Sequence, residues 1–286
     1  FQAYATQAFL RGRGYDAQIV NYSNLHDDEK LKMAFKGKNS YMGYLISFAK
    51  NILFGGMHYY RKGFKKHLNT FYSLSSEHCT QIENLSDLHY DVLVAGSDQI
   101  WNPETTGGTL DPVFLLQFGI ADKRISYASS IGSTEIREQD KALMKKALEE
   151  FSYISVRETF AKQQLEKIMN RNINVVCDPT FLLTGEEWRL FAKQYSDYLE
   201  NDQKYILTYF VSLEKYSEHC INLVKTYSES LGLPVWAVQF TRYYSKNCDK
   251  KILGASIADM IRLIEHAELI ITDSFHGVAL SVNLGK

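Results

Sequence analysis

The sequence predicts an α/β protein built from two Rossmann-like domains that face a cleft, and three observations carry that expectation. Short apolar strands alternate with helical patterns along the whole chain, which is the signature of parallel sheets covered by helices. The length of 286 residues exceeds one typical domain and suits two. Residues 267–281, AELIITDSFHGVALS, run from an apolar strand through a small-polar turn into an amphipathic segment. Open α/β sheets place reactive groups in such turns, at the carboxyl ends of their strands.

Taken in order, residues 1–13 have helical spacing of apolar positions and close at Gly14-Tyr15 before a strand at 17–20. They read as the second half of a β-α-β unit whose first strand lies upstream. Residues 40–72, rich in Tyr, Phe, Lys and Arg, read as a long helix or an irregular excursion. The run Arg61-Lys62-Gly63-Phe64-Lys65-Lys66-His67 within it is either a solvated helix face or a patch for an anionic acceptor or membrane surface.

Residues 90–95 form a buried-type strand that enters Gly96-Ser97-Asp98-Gln99-Ile100-Trp101-Asn102-Pro103. Small residues there let a ligand approach the backbone. Asp98, Gln99, Trp101 and Asn102 offer the carboxylate, amides and aromatic ring suited to a sugar. The alternative is a structural Asx turn with Trp101 packed in the core. Residues 106–109, Thr-Gly-Gly-Thr, read as a mobile loop.

A strand at 123–128 enters Ser129-Ser130-Ile131-Gly132, and a helix follows at 140–151. The strand at 153–156 delivers Arg157-Glu158 and a helix over 159–169. Arg157 at a strand end can clamp phosphate or carboxylate through its planar fork, or pair with Glu158 or another carboxylate as a structural bridge. A strand at 173–177 reaches Asp178-Pro179-Thr180, which ends the first domain, 1–182.

In the second domain, 183–286, which reads as shortened, a helix at 186–198 is followed by the polar seam 200–204. A strand (205–211), a helix stopped by Gly232 (216–231) and a strand (235–240) follow. Ser256 and Asp259 have the spacing of a capping box for the helix ending near Ala267. His276 then sits in the opening motif as the first candidate for catalysis.

Composition excludes several classes. With 45% hydrophobic and 23% charged residues and a net charge of −1, nothing pulls the chain toward nucleic acid. The four cysteines are scattered without CxxC spacing, which argues against a zinc site or disulfide framework and for a reducing compartment. No metal ligand set is visible, and no apolar run approaches the roughly 20 residues that span a bilayer. GxGxxG, GxxxxGK(S/T), HExxH and GxSxG are absent from the sequence.

Six segments in order resemble the successive motifs of the polysaccharide pyruvyl transferase family. They are Phe1 to Gln7, Gly96 to Pro103, Ser126 to Gly132, Ser155 to Glu158, Asp178 to Leu183, and Thr272 to Gly277. The resemblance implies a glycosyltransferase-B-like architecture, with the acceptor side in 1–182 and the donor side in 183–286. It implies transfer of pyruvate from phosphoenolpyruvate, a co-substrate rather than a cofactor, to a saccharide or lipid-linked glycan. That chemistry belongs in the cytoplasm, at or near the inner membrane face. It makes His276 the catalytic acid or base and Arg157 a donor-binding arginine. Ser274, Phe275 and Gly277 complete the donor turn, whose amides suit an anion if they open a helix. Gly96, Ser97, Asp98, Gln99, Trp101, Asn102, Ser129 and Ser130 line the acceptor side. Better characterised relatives carry Arg where this chain has Ser274. A nucleotide-sugar glycosyltransferase of the same architecture and a non-catalytic glycan-binding protein are the competing readings.

Overall fold

The computed structural model describes residues 1–24, 70–75, 78–198, 203–211, 213–239 and 248–286. Most of the predicted 40–72 excursion, including the basic run 61–67, and residues 200–202 of the predicted seam lie outside them. The described residues form an α/β structure with parallel sheets and divide into two compact units. Residues 2–24, 73–75 and 78–182 belong to the first; residues 1 and 70–72 join those after 182 in the second.

The first unit opens with α1 (Gln2–Arg11). The predicted strand at 17–20 is reduced to single bridges, Ile19 to Leu74 and Tyr22 to Cys79. β1 (His89–Ala95) and β2 (Ile120–Ser126) then pair in parallel, with Ala95 opposite Ser126. The strand expected at 153–156 splits at buried Ile154. β3 (Phe151–Tyr153) continues beside β2, whereas β4 (Ser155–Val156) pairs with β5 (Asn174–Val175). Bridges from Asp98 to Ser129 and from Ser129 to Val156 stitch the strand ends together.

α2 (Glu138–Glu149) buries Asp140, Met144, Ala147 and Leu148, positions that recur on one helical face. α3 (Thr159–Ile168) buries Ala161, Gln164 and Leu165. Both elements contribute to a core with Leu93, Trp101, Phe151, Ile154 and Val156. Each buried Leu or Met there contributes roughly 1.5–3 kcal/mol relative to exposure.

The second unit is a four-stranded parallel sheet in the order β8-β7-β6-β9. Its strands are β6 (Ile206–Tyr209), β7 (Val235–Gln239), β8 (Lys250–Leu253) and β9 (Leu269–Thr272). β6 runs beside both β7 and β9, with Tyr209 opposite Val238 on one side and Thr272 on the other. The helices are α4 (Gly185–Tyr195), α5 (Leu213–Leu231), α6 (Ile257–His266) and α7 (Phe275–Asn283).

The capping box anticipated at Ser256 is present: its hydroxyl accepts from Asp259 N at 3.0 Å and the Asp259 carboxylate accepts from Ser256 N at 2.9 Å. Thr184 and Glu187 form a second box at the start of α4. α4 packs on α6, so the second unit begins before the polar seam near 200.

Candidate functional site

In the second unit the chain starts at β6, adds β7 and β8 on one side, and then crosses to the other side for β9. The carboxyl ends of β6 and β9 therefore flank a topological switch point, where open α/β sheets bind ligands. Thr272 ends β9 and ties the two strands together: its hydroxyl donates to Tyr209 O and accepts from Ser274 N at 3.0 Å. Asp273 accepts from Val211 N at 2.7 Å. Ser274 is the N-cap of α7 and accepts from Gly277 N at 3.3 Å.

His276, half-buried, leaves the first turn of this helix. The Phe1 ring stacks on it with centroids 5.9 Å apart, and Phe275 meets it edge-on at 5.3 Å. The close approach of helix and strand explains the glycine that follows. A Cβ on Gly277 would lie 2.6 Å from Thr272 Oγ1. Phe275 itself is 48% exposed, whereas Ser274 is buried and occupied in capping.

In the first unit, four strand ends converge. Ser97 follows β1, Ser129 follows β2, Arg157 follows β4 and Asp178 follows β5. Arg157 donates from Nη1 to Asp178 Oδ2 at 3.2 Å and to Ser97 Oγ at 3.4 Å, and from Nε to Glu158 Oε1 at 2.7 Å. The Ser97 hydroxyl donates to the same Asp178 oxygen at 2.9 Å. Asp178 Oδ1 accepts from Thr180 N at 2.9 Å. Burial disfavours the Arg157 charge, but the bonds and charges of Glu158 and Asp178 outweigh it and push its pKa above the ordinary arginine value.

The acceptor residues separate by burial. Trp101, expected to stack on a sugar, is instead a core residue, 1% exposed, with Nε1 donating to Phe114 O at 3.0 Å and its ring edge-on to Phe151. Asn102 is buried and braces the turn, donating to Gln99 Oε1 and accepting from Glu104 N. Ser129 and Ser130 are fully buried, their hydroxyls bonded to Gly96 O and Gly132 N. These four side chains build the site rather than face a ligand. Gly96 and Gln99 are partly exposed, Ser97 is buried against Asp178, and Asp98 is exposed.

Asp98 and Ala128 take left-handed backbone angles, φ 94° and 56°, at the ends of β1 and β2. Such strain persists only where the surroundings fix it. The segment 106–109, expected to be mobile, is held instead: Gly108 O accepts from Arg137 at 2.9 Å, and Thr106 is buried and bonds Thr109 O.

A 440 Å³ cavity lined by Glu83, Gln117, Gly119, Arg124 and Glu150 lies at the amino ends of β2 and β3, away from these groups. Among the described residues no cluster of three or more His, Cys, Asp or Glu suits a metal ion. No helix among them is long and apolar enough to cross a membrane.

The model of the polysaccharide pyruvyl transferase family matches residues 1–286, the whole chain. The chain belongs to that family. It is therefore a transferase, and the chemistry of its family is pyruvyl transfer to polysaccharide. No curated protein matches it. Among solved structures it is similar to the UDP-GlcNAc 2-epimerase from Methanocaldococcus jannaschii, at 15% identity over 99% of this chain and 78% of that one. The TM-score of 0.47 is too slight a likeness to carry an argument.

Both groups of residues above fall within segments that resemble the family's motifs. Asp178 was missed as a site residue, although its Asp-Pro-Thr segment was legible as a motif. What sequence cannot show is that Ser97, Arg157 and Thr180 all bond one carboxylate.

Proposed function

We propose that the protein transfers the pyruvyl group of phosphoenolpyruvate to two hydroxyls of one sugar in a surface polysaccharide or its lipid-linked precursor. The product is a cyclic ketal. The observation that carries this reading is the position of His276 at the sheet's topological switch point, on a turn pinned to β6 through Thr272 and Asp273.

The chemistry asks for a proton shuttle. Protonation of the donor's methylene carbon makes its neighbour electrophilic, and a sugar hydroxyl attacks there. Phosphate leaves with the C–O electron pair, and the second hydroxyl closes the ketal. Two hydroxyl protons are released, one replacing the proton consumed at carbon and one leaving on phosphate. His276 serves as the acid that gives the first proton and the base that takes up the hydroxyl protons, because imidazole changes charge near neutral pH.

Arg157 supplies positive charge for the donor's phosphate or carboxylate, and the Ser274–Gly277 turn contributes its dipole. Gly96, Asp98 and Gln99 present the acceptor surface. Their neighbours Trp101, Asn102, Ser129 and Ser130 keep it rigid.

The test is phosphate release from phosphoenolpyruvate in the presence of a panel of lipid-linked glycans. Release that depends on glycan, with His276→Ala slower by at least about a hundredfold, is the expected result. Absence of phosphoenolpyruvate binding by calorimetry, together with undiminished turnover by His276→Ala, refutes the reading. Protection from thermal unfolding by UDP- or GDP-sugars alone would point to glycosyl transfer instead.

A further inference from the structure

Asp178 is bonded to Ser97, Arg157 and Thr180 in the first unit's candidate site, and the proposed chemistry gives it no task. Its carboxylate is fully buried. One oxygen takes Arg157 Nη1 and the Ser97 hydroxyl, and the other takes Thr180 N. It joins the segments after β1, after β4 and after β5; the first two begin crossovers to the next parallel strand, and the third leads out of the first unit. Arg157 is 10% exposed, and its other carboxylate partner, Glu158, is 33% exposed. A buried ion pair is held more rigidly and screened less by solvent than an exposed one. The two partners therefore differ in kind: fully buried Asp178 holds Nη1, and partly exposed Glu158 holds Nε.

We propose that Asp178 is a positioning residue: it fixes the plane of the Arg157 guanidinium and locks it to the Ser97 loop, so that the arginine meets the donor's anionic group in one orientation. The claim rests on the assignment of Arg157 to phosphoenolpyruvate made above. Asp178 itself touches no substrate. An arginine free to sample several rotamers would bind the same anion more weakly, because ordering its side chain then falls to the binding step.

The experiment uses the full chain with Asp178→Asn, Arg157→Lys and the double variant. Asn keeps a carbonyl to accept from Thr180 N, which preserves the turn where Asp178→Ala would leave it open. Melting temperature checks that each variant folds. The expected result is a Kd and KM for phosphoenolpyruvate raised at least about tenfold in Asp178→Asn, with kcat within about threefold of wild type. The double variant is expected to be no worse than Arg157→Lys, since both changes undo one arrangement. Asp178→Asn binding the donor as wild type does, while Arg157→Lys does not, overturns the proposal. So does a loss of kcat at unchanged KM.

A donor-independent measurement keeps the two ideas separable. In ¹⁵N-labelled protein, rotation of the Arg157 guanidinium is slow when Nη1 is held by Asp178 and fast when it is not. Faster rotation in Asp178→Asn supports positioning even if phosphoenolpyruvate proves not to be the donor. Unchanged rotation removes the inference even if it is.

Discussion

The resemblance of the Thr272–Gly277 turn to the family's motif leads to an expectation of arginine at position 274, and the local chemistry explains what the serine found there does. Its hydroxyl caps α7 on Gly277 N and its side chain is buried, so a long cation has neither room nor a vacant role there. Ser274→Ala is expected to lower stability by about 1 kcal/mol, the usual value of an N-cap, as read by urea unfolding. Ser274→Arg is expected to lower the melting temperature without tightening phosphoenolpyruvate binding. Tighter binding in that variant would mean that the turn accepts the family's arginine after all. At Arg157 the expectation has the opposite sign. Glu158 competes with any incoming anion for Nε, at 2.7 Å. Glu158→Gln is therefore expected to lower the Kd for phosphoenolpyruvate by about threefold to tenfold, measured by calorimetry. An unchanged or raised Kd would place the donor away from Arg157. Individual roles of this kind were partly legible: the capping box of Ser256 and Asp259 follows from residue type and spacing, and a core-packed Trp101 was one of two readings, whereas the capping role of Ser274 needs the start of α7, which the sequence did not fix.

At the level of elements, the sequence revealed strands where apolar runs were continuous, β1 and β9 at sheet edges included, and hid one where lysines broke the run. β6, Ile206–Tyr209, is largely buried and stands out as an apolar run. β8, Lys250–Leu253, went unrecognised because two exposed lysines leave only Ile252 and Leu253 as its apolar residues, too short a run to announce a strand. The switch point likewise needs strand order, which hydrophobic periodicity does not contain. The start of α6 was legible, and it yields a pH prediction. Burial raises the pKa of Asp259, but hydrogen bonds from Ser196, Ser256 and the Asp197 backbone outweigh this and hold the carboxyl below its ordinary value of 3.8. A depressed carboxyl contributes stability at pH values above the unfolded-state pKa and loses it as pH falls through the folded one. Asp259→Asn is expected to cost on the order of 1–2 kcal/mol at pH 7, with the gap from wild type narrowing below about pH 4. Urea unfolding of both proteins across that range checks it. A gap of constant size down to pH 2 would show that the loss comes from packing and not from the carboxylate.

For the whole molecule, charge balance says how the donor must be found. The chain carries 32 Lys and Arg against 33 Asp and Glu, so no net field would gather the proposed phosphoenolpyruvate donor from a distance. The alternation of strands and helices that made the fold class legible is independent of this balance, since parallel pairing needs crossovers whatever the surface charge. Attraction has to come from a few groups at close range, and Arg157 is already offset by two carboxylates. Short contacts to a partly buried arginine are screened far less by salt than long-range steering is. Raising NaCl from about 0.05 M to about 0.5 M is therefore expected to lower kcat/KM for phosphoenolpyruvate by less than about tenfold. The change should fall in KM, because the dissociation step feels the short contacts. Initial rates of phosphate release at several donor concentrations give both constants at each salt level. A fall approaching a hundredfold would require a cationic surface acting over a Debye length, and donor capture would then have to be assigned to a basic surface rather than to the turns at the strand ends.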